Sequence, residues 1–244
     1  MAAKFVTALL GRIASAVGVT RDDLSLSAAL KRCRGRGVRV ETIIDVGASD
    51  GRWSLEARKF FPQAFCFLIE AQEAHRAALE TVKKRVPRVD FVIAAAGSRA
   101  GTCYFDAEDL FGGLASETEV GTHCISVPMV TIDDQVLLRN LAAPFLLKLD
   151  THGFELPILQ GAKQALASAS LVIIETYNFR LTHDSLKFHE MCAYMEEAGF
   201  SCVDLVRPMH RPGDQAFWQM DLVFARSSDP VFSSNSYLPP GDSL

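Results

Sequence analysis

The residues that could carry chemistry begin in the stretch TIIDVGASDGRW, residues 42–53. Apolar residues run into Asp45 and then into a turn of Gly47, Ala48, Ser49 and Gly51. A buried strand ending in an acid, followed by a loop with little side-chain bulk, suits a nucleotide-like cofactor. Gly47 and Gly51 can adopt backbone angles closed to other residues. A dinucleotide fingerprint needs G-x-G-x-x-G, and Ser49 holds the middle glycine position. A phosphate loop needs Gly-Lys followed by Ser or Thr, which is missing. Glu70 ends a second apolar run, CFLIEAQ. A carboxylate there only accepts hydrogen bonds and suits the two hydroxyls of a ribose. Ala95 and Ala96, in AAAGSRAG, offer a flat apolar wall for an adenine.

A second group lies farther along. FLLKLDTHGFELPILQGAKQAL, residues 145–166, places Asp150 and His152 just beyond an apolar strand, and LVIIET ends near Glu175. His152 has the unperturbed pKa of a general base. Asp150 is the alternative base or an orienter of substrate. Asp150 and Glu175 could also pair around a divalent metal, although no full ligand set is readable. Lys148, flanked by apolar residues, needs a partner if buried, either Asp150 or Glu175. Glu155 suits a first helical turn equally as a structural or a functional acid. Tyr177, Asn178 and Arg180 could line an acceptor pocket, and Arg207, His210 and Arg211 a rim facing an acidic substrate. Trp53 is expected to pack in a helix.

The elements that must position these residues alternate. Short apolar runs at 42–46, 64–69, 89–95, 145–149, 170–175, 200–206 and 217–225 predict strands, mostly buried on both faces. Helices are predicted over 51–60, 72–85, 154–167 and 184–198. Strand–helix repetition implies a parallel sheet with right-handed crossovers. The connector 207–216 is too short for a crossover, so the last two strands should be antiparallel neighbours. Residues 101–135 read as a β-ribbon insertion around the glycine-rich LFGGLASE. Before the sheet, residues 4–17 carry apolar positions at helical spacing, Thr20 to Asp23 reads as a capping box, and SLSAALKRCRGRG reads as a helix stopped at Gly35 or Gly37. The expected organisation is a helical segment 1–40, a catalytic domain 41–226 and a mobile tail 227–244 rich in Ser, Pro and Gly.

With 244 residues, 49% of them hydrophobic, the chain can bury one sizeable core. Its net charge of −4 argues against a nucleic-acid partner. Residues 1–40 nevertheless hold eight Lys and Arg against two Asp, as expected first of a solvated basic helix pair and otherwise of a surface for anionic partners or membrane headgroups. Six cysteines without a C-x-x-C pair suggest small core residues in a reduced, cytoplasmic compartment. Arg12 interrupts the apolar start too early for a signal peptide, and no stretch approaches the ~20 apolar residues of a membrane span.

The spacing D-x-G-x-x-x-G resembles the methyltransferase loop that wraps S-adenosylmethionine. The motif from Lys148 through Asp150, Gly153 and Glu155 to Gly161 and Ala162 resembles the signature of the FkbM methyltransferase family. TIIDVGASDGRW, VIAAAGSRAG, VPMVTIDDQV and LVIIET fall in that family's order, so the resemblance spans roughly residues 40–176. It differs at Ser49 and Asp50 and at Ala71 after Glu70, where the family shows other residues. The resemblance implies a class I methyltransferase fold, an α/β Rossmann-like doubly wound sheet. It also implies S-adenosylmethionine as donor and O-methylation of a saccharide or natural-product hydroxyl. An NAD-dependent oxidoreductase and a non-catalytic binding protein on the same fold are the alternatives.

Overall fold

The computed structural model describes residues 22–119 and 124–236. The helix expected over 4–17 and the Thr20 end of the capping box lie outside these residues. The helix expected in SLSAALKRCRGRG is present as α1 (Leu26–Gly35), starting on Ser25, whose hydroxyl accepts the Ala28 N–H at 3.1 Å, and ending at Gly35.

Seven strands form the main sheet: β1 (Thr42–Val46), β2 (Phe65–Glu70), β3 (Val89–Ile93), β8 (Phe145–Leu149), β9 (Ala169–Tyr177), β10 (Phe200–His210) and β11 (Phe217–Arg226). Their order is β10-β11-β9-β8-β1-β2-β3. The pairs from β3 through β9 are parallel, and β11 runs antiparallel between β9 and β10. This is the class I methyltransferase topology. The chain winds outward from β1 through β2 and β3, then returns to β8 on the other side of β1, and a crevice opens where that order reverses.

Every residue of β1 and β8 is buried, as expected for strands covered on both faces. On one face pack α1, α2 (Arg52–Arg58) and α3 (Arg76–Arg85), through Leu30, Ala57 and Leu79. On the other pack α4 (Ile132–Arg139), α5 (Glu155–Gln160), α6 (Lys163–Ala167) and α7 (Phe188–Glu197), with a small second sheet.

Five details depart from the expected elements. The strand expected over 89–95 stops at Ile93. Small residues Ala94–Ala96 let the chain turn, and β4 (Ala95–Ala96) joins β7 (Cys124–Val130) in the second sheet. There the expected ribbon gains a third strand: β5 (Gly101–Asp106) pairs with both β7 and β6 (Leu114–Ser116). The ribbon also ends before residue 135. Thr131 accepts the Asp134 N–H at 2.9 Å and starts α4, a capping signal hidden by the apolar run before it. The helix expected over 154–167 breaks at Gly161, where a Cβ would lie 2.1 Å from the Gly97 carbonyl oxygen. Residues 227–233, assigned to the tail, are tied to the domain: Ser227 N–H donates to Gly199, and Phe232 packs against the core. No helix of the described residues is long and apolar enough to cross a membrane.

Candidate active site

At the carboxyl ends of β1, β2 and β8 lies an open cleft with about 230 Å³ of enclosed volume, apolar in part and lined by a few convergent polar groups. The β1–α2 loop forms its floor. Gly47 stands at φ +72, and a Cβ there would lie 2.0 Å from the Asp150 carbonyl oxygen, so only glycine lets this loop cross the end of β8. Ser49 is also left-handed, at φ +52, which aims its N–H at Glu70. The Glu70 carboxylate accepts from Ser49 N at 2.7 Å and from Gln72 N at 2.8 Å, one bond to each oxygen. Each oxygen keeps acceptor capacity toward the cleft that Glu70 lines.

Ala94, Ala95, Ala96, Phe105 and Ala115 make this end apolar. A strap over residues 109–113 roofs it. Gln72 donates to the carbonyls of Asp109 and Leu110 at 3.0 and 3.1 Å, and His75 Nε2 donates to Leu110 at 2.9 Å. Ser49 Oγ and Trp53 Nε1, both on cleft-lining residues, are buried without a hydrogen-bond partner. Buried polar atoms are normally satisfied. Orphaned polar atoms, an open carboxylate and an apolar slot fit a nucleoside cofactor.

At the other end Asp150 and His152 reach the cleft from the β8–α5 turn, in which His152 (φ +54) and Gly153 (φ +108) are left-handed. His152 Nδ1 donates to the Gly113 carbonyl at 3.2 Å. That bond turns Nε2 toward Glu175 Oε2 at 3.5 Å and Asp150 Oδ1 at 3.8 Å. Lys148 Nζ lies 2.8 Å from Asp150 Oδ2. Burial works against the Asp150 charge, but Lys148 outweighs it and holds the carboxyl below its ordinary range. Glu175 is pushed up to about 9, first by burial and then by the Asp150 charge. The two carboxyls therefore titrate as a pair, with Asp150 favoured as the charged member and Glu175 as the one that resists ionisation. Tyr177 OH and Gln219 Nε2 donate to Glu175.

The structure gathers Gly47, Ala48, Ser49, Glu70, Ala95, Asp150 and His152 around one cleft, with Glu175 beside His152. Asp45 and Gly51 lie elsewhere. Asp45 points beneath the loop, fully buried, and accepts from Ser54 Oγ at 2.7 Å, so it anchors α2. Gly51 is the N-cap of α2, at φ +81. Lys148 pairs with Asp150 as expected, but its second partner is Asp45 at 3.4 Å and not Glu175, because β1 pairs directly with β8. Glu155 accepts from Thr151 Oγ1 and Gly153 N and shapes its own turn. Asn178 and Arg180 bond to Phe217 and to Ser185 and Glu190, away from the cleft. His210 and Arg211 sit outside it, and Arg207 lines it. Gln72, Phe105, Phe111 and Gly113 were missed. The glycine pair in LFGGLASE signalled a special loop but not where it would fold. Oδ or Oε atoms of Asp150 and Glu175 and a ring nitrogen of His152 lie within 4.8 Å of one another, a metal-like grouping in which Lys148 already pairs with Asp150.

Among solved structures, the chain is similar to a methyltransferase FkbM from Methylobacillus flagellatus KT. Identity is 17% and the TM-score 0.47, over 75% of this chain and 43% of that one, so this chain spans less than half of that protein's length. It is similar to magnesium protoporphyrin IX methyltransferase of Synechocystis PCC 6803, solved with bound SAM, at 12% identity and TM-score 0.48 over 83% and 76% of the two chains. It is also similar to TYW2 of M. jannaschii in complex with AdoMet, at 13% identity and TM-score 0.42 over 83% and 77%. No curated protein matches the chain. The profile of the methyltransferase FkbM domain matches residues 45–202, which include the loop, Glu70, Asp150, His152 and Glu175. The chain belongs to the FkbM methyltransferase family.

Proposed function

We propose that this chain transfers a methyl group from S-adenosylmethionine to a hydroxyl of a small-molecule or saccharide acceptor. The observation that carries this reading is a single cleft with Glu70 and the glycine loop at one end and Asp150 with His152 at the other. Glu70, already oriented by two backbone donors, holds the ribose hydroxyls. Ala95, Ala96 and Phe105 receive the adenine. The cofactor, when bound, supplies an electrophilic methyl group on sulfur.

A neutral hydroxyl attacks poorly, so a base that takes its proton lowers the barrier. The bond from Nδ1 to Gly113 puts the ring hydrogen on Nδ1 and leaves the Nε2 lone pair for the acceptor proton. Asp150 then stabilises the imidazolium. The cleft also orients the acceptor oxygen in line with the methyl group, which by itself contributes to rate.

Calorimetry on the full chain with S-adenosylhomocysteine and NAD tests the cofactor. Binding of the first and silence of the second support the reading, and the reverse overturns it. Labelled methyl transfer to a panel of hydroxyl acceptors then tests the reaction. Transfer only to nitrogen or carbon acceptors refutes O-methylation.

A further inference from the structure

Strand β10 loses register with β11 between Val206 and Met209, and Arg207 sits in the break at φ +52. Among the described non-glycine residues only six are left-handed, and three of them, Ser49, His152 and Arg207, line the cleft. Such conformations persist where the surroundings impose them, and they concentrate at functional sites.

Two contacts impose this one. Arg207 N–H donates to the Leu24 carbonyl at 2.8 Å. Asp221 Oδ2 accepts from Nε at 3.1 Å and Nη2 at 2.6 Å. Val206 faces the α1–α3 side, opposite Asp221 in register. Strand alternation would send the next side chain to the other face. The bulge returns Arg207 to the Asp221 face and over the cleft.

The guanidinium is only partly used. Asp221 occupies the Nε–Nη2 edge, and Nη1 bonds to none of the described residues, while the side chain is 49% exposed. The other cations lining the cleft are engaged: Lys148 with Asp45 and Asp150, and Arg52 with Asp50 through both carboxylate oxygens. Arg207 and Asp150 line the same cleft. This end of the cleft therefore presents a carboxylate and a free guanidinium edge together, the complement of an α-amino acid.

We infer that Arg207 forms a carboxylate subsite that takes the α-carboxylate at the amino-acid end of the cofactor. This rests on the S-adenosylmethionine reading above. A guanidinium edge binds carboxylates with charge-assisted bonds, and the pairing with Asp221 holds that edge in place before the ligand arrives.

The test is calorimetry on the full chain with S-adenosylhomocysteine and with S-adenosyl-3-thiopropylamine, which keeps the nucleoside, thioether and amine but lacks the carboxylate. The native chain should bind the decarboxylated ligand about 10- to 100-fold more weakly, the worth of a hydrogen-bonded charge. Arg207→Gln should weaken S-adenosylhomocysteine by a similar factor and leave the decarboxylated ligand unchanged. Arg207→Lys, which keeps a cation, should recover part of the loss and covers the case in which the Gln variant does not fold. Equal weakening of both ligands, no change in either, or an effect confined to the acceptor KM overturns the subsite. Absence of any binding by the native chain overturns the cofactor reading itself, a different result from losing only the dependence on the carboxylate.

Discussion

The Lys148 ammonium lies 3.4 Å from the Asp45 carboxylate, its direct partner across the β1–β8 pair, and both side chains are shielded from solvent. Burial pushes the Asp45 carboxyl up, opposed by Lys148 and by the Ser54 hydroxyl. Lys148 also holds Asp150 2.8 Å away, so one cation joins the strand interior to the edge of the cleft.

Removing one member of a buried pair leaves the other uncompensated, which costs about 3–5 kcal/mol. Lys148→Met should therefore destabilise the fold by that amount. The double variant Asp45→Asn with Lys148→Met should recover part of the loss, because Asp45 is then neutral while Asp150 still lacks its cation. Urea unfolding of the native chain and the variants measures both. Additive losses in the double variant would show that the two residues do not act as a pair.

Stability should fall as pH rises through neutrality. The Glu175 carboxyl, at 4.5 when unperturbed, is pushed up to about 9 in the fold, by burial first and the Asp150 charge second. Between these values the folded chain keeps a proton that the unfolded chain has released, so raising the pH favours unfolding. The slope for one proton is at most about 1.4 kcal/mol per pH unit. Glu175→Gln keeps a neutral side chain and should flatten this fall. Denaturation midpoints at pH 5, 7 and 9 decide it, and an unchanged slope in the variant would assign the effect to other groups.

Glu70 binds two backbone N–H groups as well as facing the cleft. Glu70→Ala should weaken S-adenosylhomocysteine by about 1.5–3 kcal/mol and also lower the melting temperature, because Ser49 N and Gln72 N lose their acceptor. Glu70→Gln keeps one acceptor oxygen and should spare more stability than affinity. Calorimetry and thermal melts on the same samples separate the two effects, and full affinity in both variants would remove Glu70 from the cofactor site.

His152→Gln preserves hydrogen bonding but cannot take a proton. It should lower kcat and kcat/KM together by about 10²–10⁴-fold while S-adenosylhomocysteine affinity stays within a few-fold. Near-native turnover would reduce His152 to positioning and make Asp150→Asn the next variant to measure.

The parallel strands were legible because β1, β2 and β8 are short runs of apolar residues with a charged residue, Asp45, Glu70 or Lys148, at or next to the end. An element's class follows from local pattern where burial is two-sided. The second sheet was only half legible. Its strands β4 and β6 are two and three residues long, too short for any periodicity, and they exist through pairing with β7 and β5. Helix α4 was hidden because Thr131 caps it directly after a strand.

By itself the sequence determined the order of strands, the glycine loop, the acid at the end of β2 and the polar turn after β8, since each is written in a few contiguous residues. It also determined the family, through several such motifs in one order. Only the tertiary structure decided what each polar group faces. Asp45 turned to Ser54 and Lys148 because strand register placed β8 beside β1. Gly113 became the partner of the His152 ring because the strap folded across 39 residues of sequence. Arg207 entered the cleft because a bulge reversed its side chain. Register, strap closure and bulge depend on the packing of distant segments, and local residue patterns carry no record of the angle at which those segments meet.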